Sequence, residues 1–381
     1  MSLKQQLSTA ITLLSLVSVV SAAPAIALGD DVALFFTPAV VVEVDDNVFR
    51  GNGDEESDIR YAFIPGVEID FGAPGGLSGT IDASYEFTRY LDVDGLDGEF
   101  FDVGLRSSYV SGPAVLGFRA RYDESFSTDE DTAVGDTLIE QETLTGNVNG
   151  RYQFSDVLAG SLSFDYTDRE YDRDDFATSE SVGIQGRGFF AITPRTELTA
   201  GARFRTTDVE IEGAGDQTYD DVAFSVGVAG ELFSPLWTGD LSIGWQEREF
   251  DDGETDDSIF YTGLVTFRPT TTQIYTFRVS RDYSTSALGG ESFARGTGTL
   301  NATYLISPRL SINGSIGYTE TNYDNSARDN SNTDLSAGVR YSPNEFINLS
   351  VTARALSVEA DGPLGSEYDQ ALFTMRASFR Y

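Results

Sequence analysis

Hydrophobicity along this chain repeats every second residue, in segments of about ten residues or more, and two kinds of connection alternate between the segments. The last segment shows the pattern plainly: Ala371, Phe373, Met375, Ala377, Phe379 and Tyr381 alternate with Thr374, Arg376, Ser378 and Arg380. A helix would scatter those arginines around its circumference, whereas a strand sorts them onto one face. The same sorting holds for Leu116, Phe118, Ala120 and Tyr122 against Gly117, Arg119 and Arg121, and for Ile347, Leu349, Val351, Ala353 and Ala355 against Asn348, Ser350, Thr352 and Arg354. One kind of connection is tight and usually carries Pro: GAPGG at 72–76, SGPA at 111–114, TPR at 193–195, SPL at 234–236, RPTT at 268–271, SPR at 307–309 and SPNE at 342–345, with FSDV at 154–157 in the remaining slot. The other kind is longer, polar and acidic, as at 123–139, 167–178, 251–257 and 320–332. Eight tight turns and nine long loops predict eighteen strands, an even number.

Short turns at one end and long loops at the other are the layout of bacterial outer-membrane barrels, with turns in the periplasm and loops outside. In a bilayer each unpaired backbone group costs several kcal/mol, so strands span only as a closed ring without edges. A spanning strand needs roughly 9–11 residues at its tilt, which these segments supply. Aromatics stand where two interfacial girdles are expected, with Tyr122, Tyr166, Phe204, Trp245 and Tyr318 towards the loops. Tyr109, Tyr152, Phe190, Trp237, Tyr304, Phe346 and Tyr381 lie towards the turns. A soluble sandwich or propeller is the competing all-β reading, but its strands run nearer 5–6 residues. The prediction is one closed antiparallel transmembrane barrel over 28–381. Lys4 followed by the apolar run 7–20 and the small-residue stretch SAAPAIA at 21–27 predicts a secretory signal over 1–27, cleaved after Ala27. The apolar run is too short for a spanning helix, which wants roughly 20 residues. The expected place is the outer membrane of a Gram-negative bacterium, among its lipid and lipopolysaccharide. The terminal Phe379-Arg380-Tyr381 resembles the signal by which the barrel assembly machinery recognises its clients.

If the apolar residues face lipid, the alternate positions line the interior. That places Arg60, Arg106, Arg119, Arg121, Arg151, Arg187, Arg203, Arg205, Arg278, Arg295, Arg340, Arg354, Arg376 and Arg380 inside. A charge on the lipid face at midplane costs roughly 2–4 kcal/mol, so an inward place needs no functional motive. Such arginines either pair with inward acids such as Asp70, Glu86, Asp165, Glu231 and Asp240, or offer an anion path, since guanidinium forks match carboxylate and phosphate oxygens. Both hold together. Eighteen strands enclose a bore wide enough for water. The formal net charge of −36, with most acids in the loops, argues against nucleic acid as a partner. The acid-rich stretch DGLDGEFFD at 94–102 suits loop-bound Ca²⁺ by its oxygens, although EF-hand spacing is not met; no other cofactor is expected.

There is no His and no Cys in the chain. That removes Ser–His and Asp–His catalysis and any His metal site, and no carboxylate pair stands out for glycoside hydrolysis. No enzyme is expected. The first part of the mature chain carries a more specific signal: Pro38-Ala39-Val40, then Asp45-Asp46-Asn47-Val48-Phe49-Arg50, then Ser57-Asp58, then Ile64-Pro65-Gly66-Val67. This order resembles the putative β-barrel porin 2 family, through Asp46, Asn47, Phe49, Arg50, Asp58, Pro65 and Gly66. Members of that family often accompany exopolysaccharide or capsule systems, so the resemblance implies a porin-like outer-membrane channel helping an anionic exopolysaccharide and its export system. A general diffusion porin and a non-conducting structural or adhesive surface barrel are the alternatives.

Overall fold

The computed structural model describes residues 26–27, 31–50, 55–73, 75–93, 95–127, 138–211, 215–287, 290–323, 329–361 and 367–381. Most of the expected signal segment, and parts of several long loops, lie outside these residues. Among the described residues there is no helix. The strands are β1 (Ile26–Ala27), β2 (Val32–Phe36), β3 (Ala39–Asp45), β4 (Asp58–Ile64), β5 (Gly66–Gly72), β6 (Leu77–Tyr90) and β7 (Gly98–Ser111). There follow β8 (Ala114–Phe126), β9 (Glu140–Gln153), β10 (Leu158–Tyr171), β11 (Thr178–Thr193), β12 (Thr196–Glu210), β13 (Gln217–Glu231) and β14 (Trp237–Phe250). The chain ends with β15 (Thr255–Phe267), β16 (Gln273–Thr285), β17 (Ser292–Ser307), β18 (Leu310–Tyr323), β19 (Asp329–Tyr341), β20 (Ile347–Asp361) and β21 (Tyr368–Phe379).

These segments make eighteen staves. Phe36 faces Val67 and Ala39 faces Ile64, so one register runs through β2–β3 and β4–β5 without a slip. The gap in each stave is a proline, and the shared register sets Pro38 opposite Pro65. A proline has no N–H to give to a ladder. Each still accepts through its carbonyl, from Phe379 N at 2.9 Å and from Tyr85 N at 3.0 Å. The β2–β3 and β4–β5 staves and the sixteen strands from β6 to β21 pair antiparallel with their neighbours in chain order. The ring closes where β21 meets β3, from Leu372 opposite Asp45 to Ser378 opposite Ala39. Phe36 and Tyr381 extend the seam by exchanging backbone bonds of 3.0 and 2.9 Å. Closure joins every stave to a neighbour on both sides, as a bilayer demands. The two-residue β1 lies along the free side of β2, with Ile26 opposite Leu34.

Strands β6 to β21 run from 12 to 16 residues, longer than a bilayer requires, so their ends stand clear as a rim. Alternation then separates the faces. Val226, Ile243 and Leu162 are 62%, 59% and 58% exposed, on an outer band where lipid is the solvent. On the turn side Trp237, Phe267 and Tyr275 stack in a row, centroids 4.1 and 6.0 Å apart, as an interfacial girdle would. Glycine is demanded at the first tight turn: Gly72 has φ +85, and a Cβ there would stand 1.9 Å from the carbonyl oxygen of Leu77.

Candidate pore and its inner latch

Asp282 on β16 and Arg203 on β12 are four strands apart, yet both carboxylate oxygens accept from Arg203 at 2.6 Å. Their contact crosses the interior and identifies the lumen face. Propagated through the strand registers, that face carries all fourteen arginines named above. Nine make ion pairs with acids on the same face. Arg60 pairs with Glu43 and Glu86, Arg106 with Asp82, Arg121 with Asp102 and Asp123, and Arg151 with Glu197. Arg187 pairs with Asp240, Arg203 with Asp282, Arg205 with Asp221 and Asp282, Arg354 with Asp334, and Arg380 with Glu68 and Asp70. Arg295 donates to Thr321 Oγ1 and sits over the Phe293 ring at 4.7 Å. Arg119, Arg278, Arg340 and Arg376 make no ion pair among the described residues, and all four are exposed. They stand in the turn-side half of the wall. Arg340 and Arg376 both flank Ser350.

The wall is incomplete on its loop side between β15 and β16. Other neighbouring strands pair over nearly their whole length, but this pair ends at Tyr261 opposite Arg281. Beyond that point the end of β16, still paired with β17, leaves the wall and lies against the inner faces of β12 to β15. Arg205 donates at 2.7 Å to the carbonyl of Tyr283, which the lost pairing leaves without a β15 partner, and Arg248 donates at 2.9 Å to that of Ser284. Tyr283 gives its hydroxyl to Asp256 at 2.6 Å. Sandwiched beneath, Arg248 and Asp221 form a bidentate pair at 2.6 and 2.8 Å, each side chain 1% exposed. The Arg248 guanidinium stands between the Tyr219 and Tyr283 rings, 4.8 and 4.9 Å from their centroids. Further along, Ala287 accepts from Ala177 N at 2.7 Å and packs with Ile139 and Phe176. Gly290 accepts from the Tyr219 hydroxyl at 2.8 Å.

Other loop segments cover the opposite side of the mouth. Val48, Phe49 and Leu96 form a buried cluster with Tyr90, Val93 and Leu138 against it. The resemblance residues serve this cover and the seam beneath it. Asp46 accepts from Ala371 N at 2.6 Å, and the Asn47 side chain donates to the Asp369 carbonyl at 2.8 Å. Asp45 turns the chain by accepting from Asn47 N at 2.9 Å, an Asx turn, and also holds Gln370 at 2.8 Å. Arg50, at φ 54, donates to the Ser127 carbonyl at 3.0 Å. Asp58 is fully buried, and its carboxylate accepts from the backbone amides of Ile59, Leu91, Asp92 and Val93 at 2.6–3.2 Å. Gly66 accepts from Thr37 N beside the facing prolines. Beneath the cover is a cavity of about 590 Å³ lined by Arg60, Glu86, Arg295, Thr297, Arg354 and Gln370 among others.

Sequence reasoning missed the two most consequential residues, Arg248 and Asp221. The signal was present, since Gln246 and Arg248 share the parity of the inward Asp240, but the stretch QEREF reads as loop polarity. In the acidic stretch 94–102, Asp97 and Glu99 pair with Arg89, while Asp102 faces the other way onto Arg121. Among the described residues no three acids gather where they could hold a metal ion. At the C-terminus the Phe379 and Tyr381 rings stack 6.0 Å apart.

A closed ring of eighteen staves, apolar outside and charged inside, is the fold of a porin- or transporter-like outer-membrane barrel. Residues 218–380 match the model of the putative β-barrel porin 2 family. The match spans β13 to β21 and so includes one of the two strands that meet at the seam, whereas the sequence resemblance lay at 38–67. Among curated proteins none matches. Among solved structures, the chain is similar to the outer membrane protein opdK of Pseudomonas aeruginosa, at 13% identity and TM-score 0.46, over 91% of this chain and 99% of that one. OccAB4 of Acinetobacter baumannii gives 12%, 0.47, 93% and 99%. The FrpB iron transporter of Neisseria meningitidis gives 11% and 0.46 over 87% of this chain, which spans 62% of FrpB's length.

Proposed function

We propose that this barrel sits in the bacterial outer membrane, delivered there by the barrel assembly machinery, and forms a channel that assists export of an anionic exopolysaccharide. One observation carries the reading: Arg119, Arg278, Arg340 and Arg376 stand exposed, with no ion pair among the described residues, in the turn-side half of the lumen wall, the periplasmic half in this reading. A polymer leaving the periplasm meets that half first, and unpaired guanidinium groups attract carboxylate or phosphate. The acids of the same wall are largely engaged by the other arginines, which leaves these four to set the local field. Planar-bilayer recording tests the proposal. Anion selectivity is expected, and a cation-selective pore with the loops deleted overturns it. The buried apolar clusters across the mouth favour a second reading, a non-conducting surface barrel, for which no conductance at any voltage is the expected result.

A further inference from the structure

We propose that Arg203 and Arg205 form a carboxylate-binding site on the lumen wall, occupied here by the chain's own Asp282, which an incoming acidic sugar displaces. The inference rests on the channel reading and gives its site a ligand class. Asp282 is bound as a ligand carboxylate would be. Both its oxygens accept from Arg203 at 2.6 Å and both lie 3.4 Å from Arg205. The two guanidinium groups come from one strand, two residues apart on the lumen face, so they stay in place whatever the β16 end does. Arg203 is held over the Phe260 ring at 4.8 Å, and its Nε is buried without a partner, a donor the internal ligand leaves unused. Two adjacent forks match the planar oxygens of a carboxylate.

Displacement has a defined structural outcome. Tyr261 faces Arg281, and the same register extended along β15 sets Phe260 opposite Asp282, Ile259 opposite Tyr283 and Ser258 opposite Ser284. Ile259 already faces Trp245, so Tyr283 would join them on the outer face at the height of the loop-side girdle. The unpaired upper edge of β15 would then have its partner, and the inner face of β12 to β15 would open to the bore.

An internal ligand lowers apparent affinity by the fraction of time it leaves the site free. The test is calorimetric titration of the purified full-length barrel with trigalacturonate, with maltotriose as the neutral probe. Asp282→Asn and Asp282→Ala are each expected to bind trigalacturonate at least about tenfold more tightly than the wild type at low salt, with no gain for maltotriose. Adding Arg203→Gln and Arg205→Gln is expected to remove the gain. Because Asp282→Asn keeps the side-chain volume, it preserves the test if the alanine variant does not fold. Equal affinity of wild type and the folded Asp282 variants overturns the site, as does a gain that survives loss of both arginines. The chain has no cysteine, so Ser258→Cys with Ser284→Cys reports strand movement. Trigalacturonate is expected to raise the disulfide yield, and an unchanged yield overturns the displacement. A barrel that shows the affinity gain but no conductance keeps the site and removes the channel. One that conducts without the gain does the reverse.

Discussion

The side-chain amide of Asn47 donates to the backbone carbonyl of Asp369 at 2.8 Å, across 322 positions of sequence. With Asp45 on Gln370 and Asp46 on Ala371, it bolts the first stave to the last at the loop end. Asn47 is 1% exposed, so truncating it removes a buried side chain together with its bond to the Asp369 carbonyl. Asn47→Ala is expected to cost about 1–3 kcal/mol, read as a lower guanidinium midpoint of the detergent-folded barrel.

With one buried carboxylate Asp58 accepts from three backbone amides of the loop cover, Leu91 to Val93, and from that of Ile59 beside it. Asp58→Ala removes the acceptor of the Asp92 and Val93 amides, while Leu91 N keeps the Ile59 carbonyl, and is expected to destabilise by about 3 kcal/mol or more, since hydrogen bonds to a charge are worth roughly 1.5–3 kcal/mol each. Limited proteolysis is expected to begin near residues 91–93 in this variant, ahead of any strand.

Asp221 holds two guanidinium groups, the buried Arg248 and the partly exposed Arg205. Asp221→Ala leaves the buried Arg248 without its counter-charge while Arg205 keeps Asp282, and breaking a buried pair costs about 3–5 kcal/mol. Arg248→Met is expected to be milder, because Asp221 keeps Arg205. Comparison of the two melting curves checks the order.

The four unpaired lumen arginines contribute field rather than structure. Replacing Arg119, Arg278, Arg340 and Arg376 together by Gln is expected to shift stability by less than about 0.5 kcal/mol per site. The same variant should lose anion selectivity in planar-bilayer reversal potentials. Retained selectivity would place the selecting charge elsewhere.

Gly66 lies beside the facing prolines, and a Cβ there would stand 2.7 Å from Thr37 Oγ1 and 3.1 Å from the Thr37 carbonyl. Because that carbonyl belongs to the neighbouring backbone, Gly66→Ala is expected to cost about 1–3 kcal/mol through overpacking, visible as slower refolding and a lower midpoint.

The wall was legible in the sequence because alternation is a local property. Each stave reports its own faces, and tight turns count the staves, so both the eighteen-fold ring and the inward side of Arg187 or Arg376 follow from parity alone. What the interior does with those groups was not legible. Nothing near Asp282 in sequence announces that it reaches β12, because the contact exists only after β16 departs from β15. The Asp45–Asn47 stretch read as a turn, which it is, but its partners at 369–371 lie at the far end of the chain. Arg248 was obscured by neighbouring acids that made its stretch look like solvent-exposed loop.

Every pairing in this ring but one joins staves adjacent in sequence, so each hairpin is complete within its own stretch of chain. The exception must wait for the final dozen residues. A chain released a few residues early would therefore be a well-ordered curved ribbon with two raw borders, stranded short of the bilayer. Closure for every earlier stave thus hangs on the last dozen residues of strand.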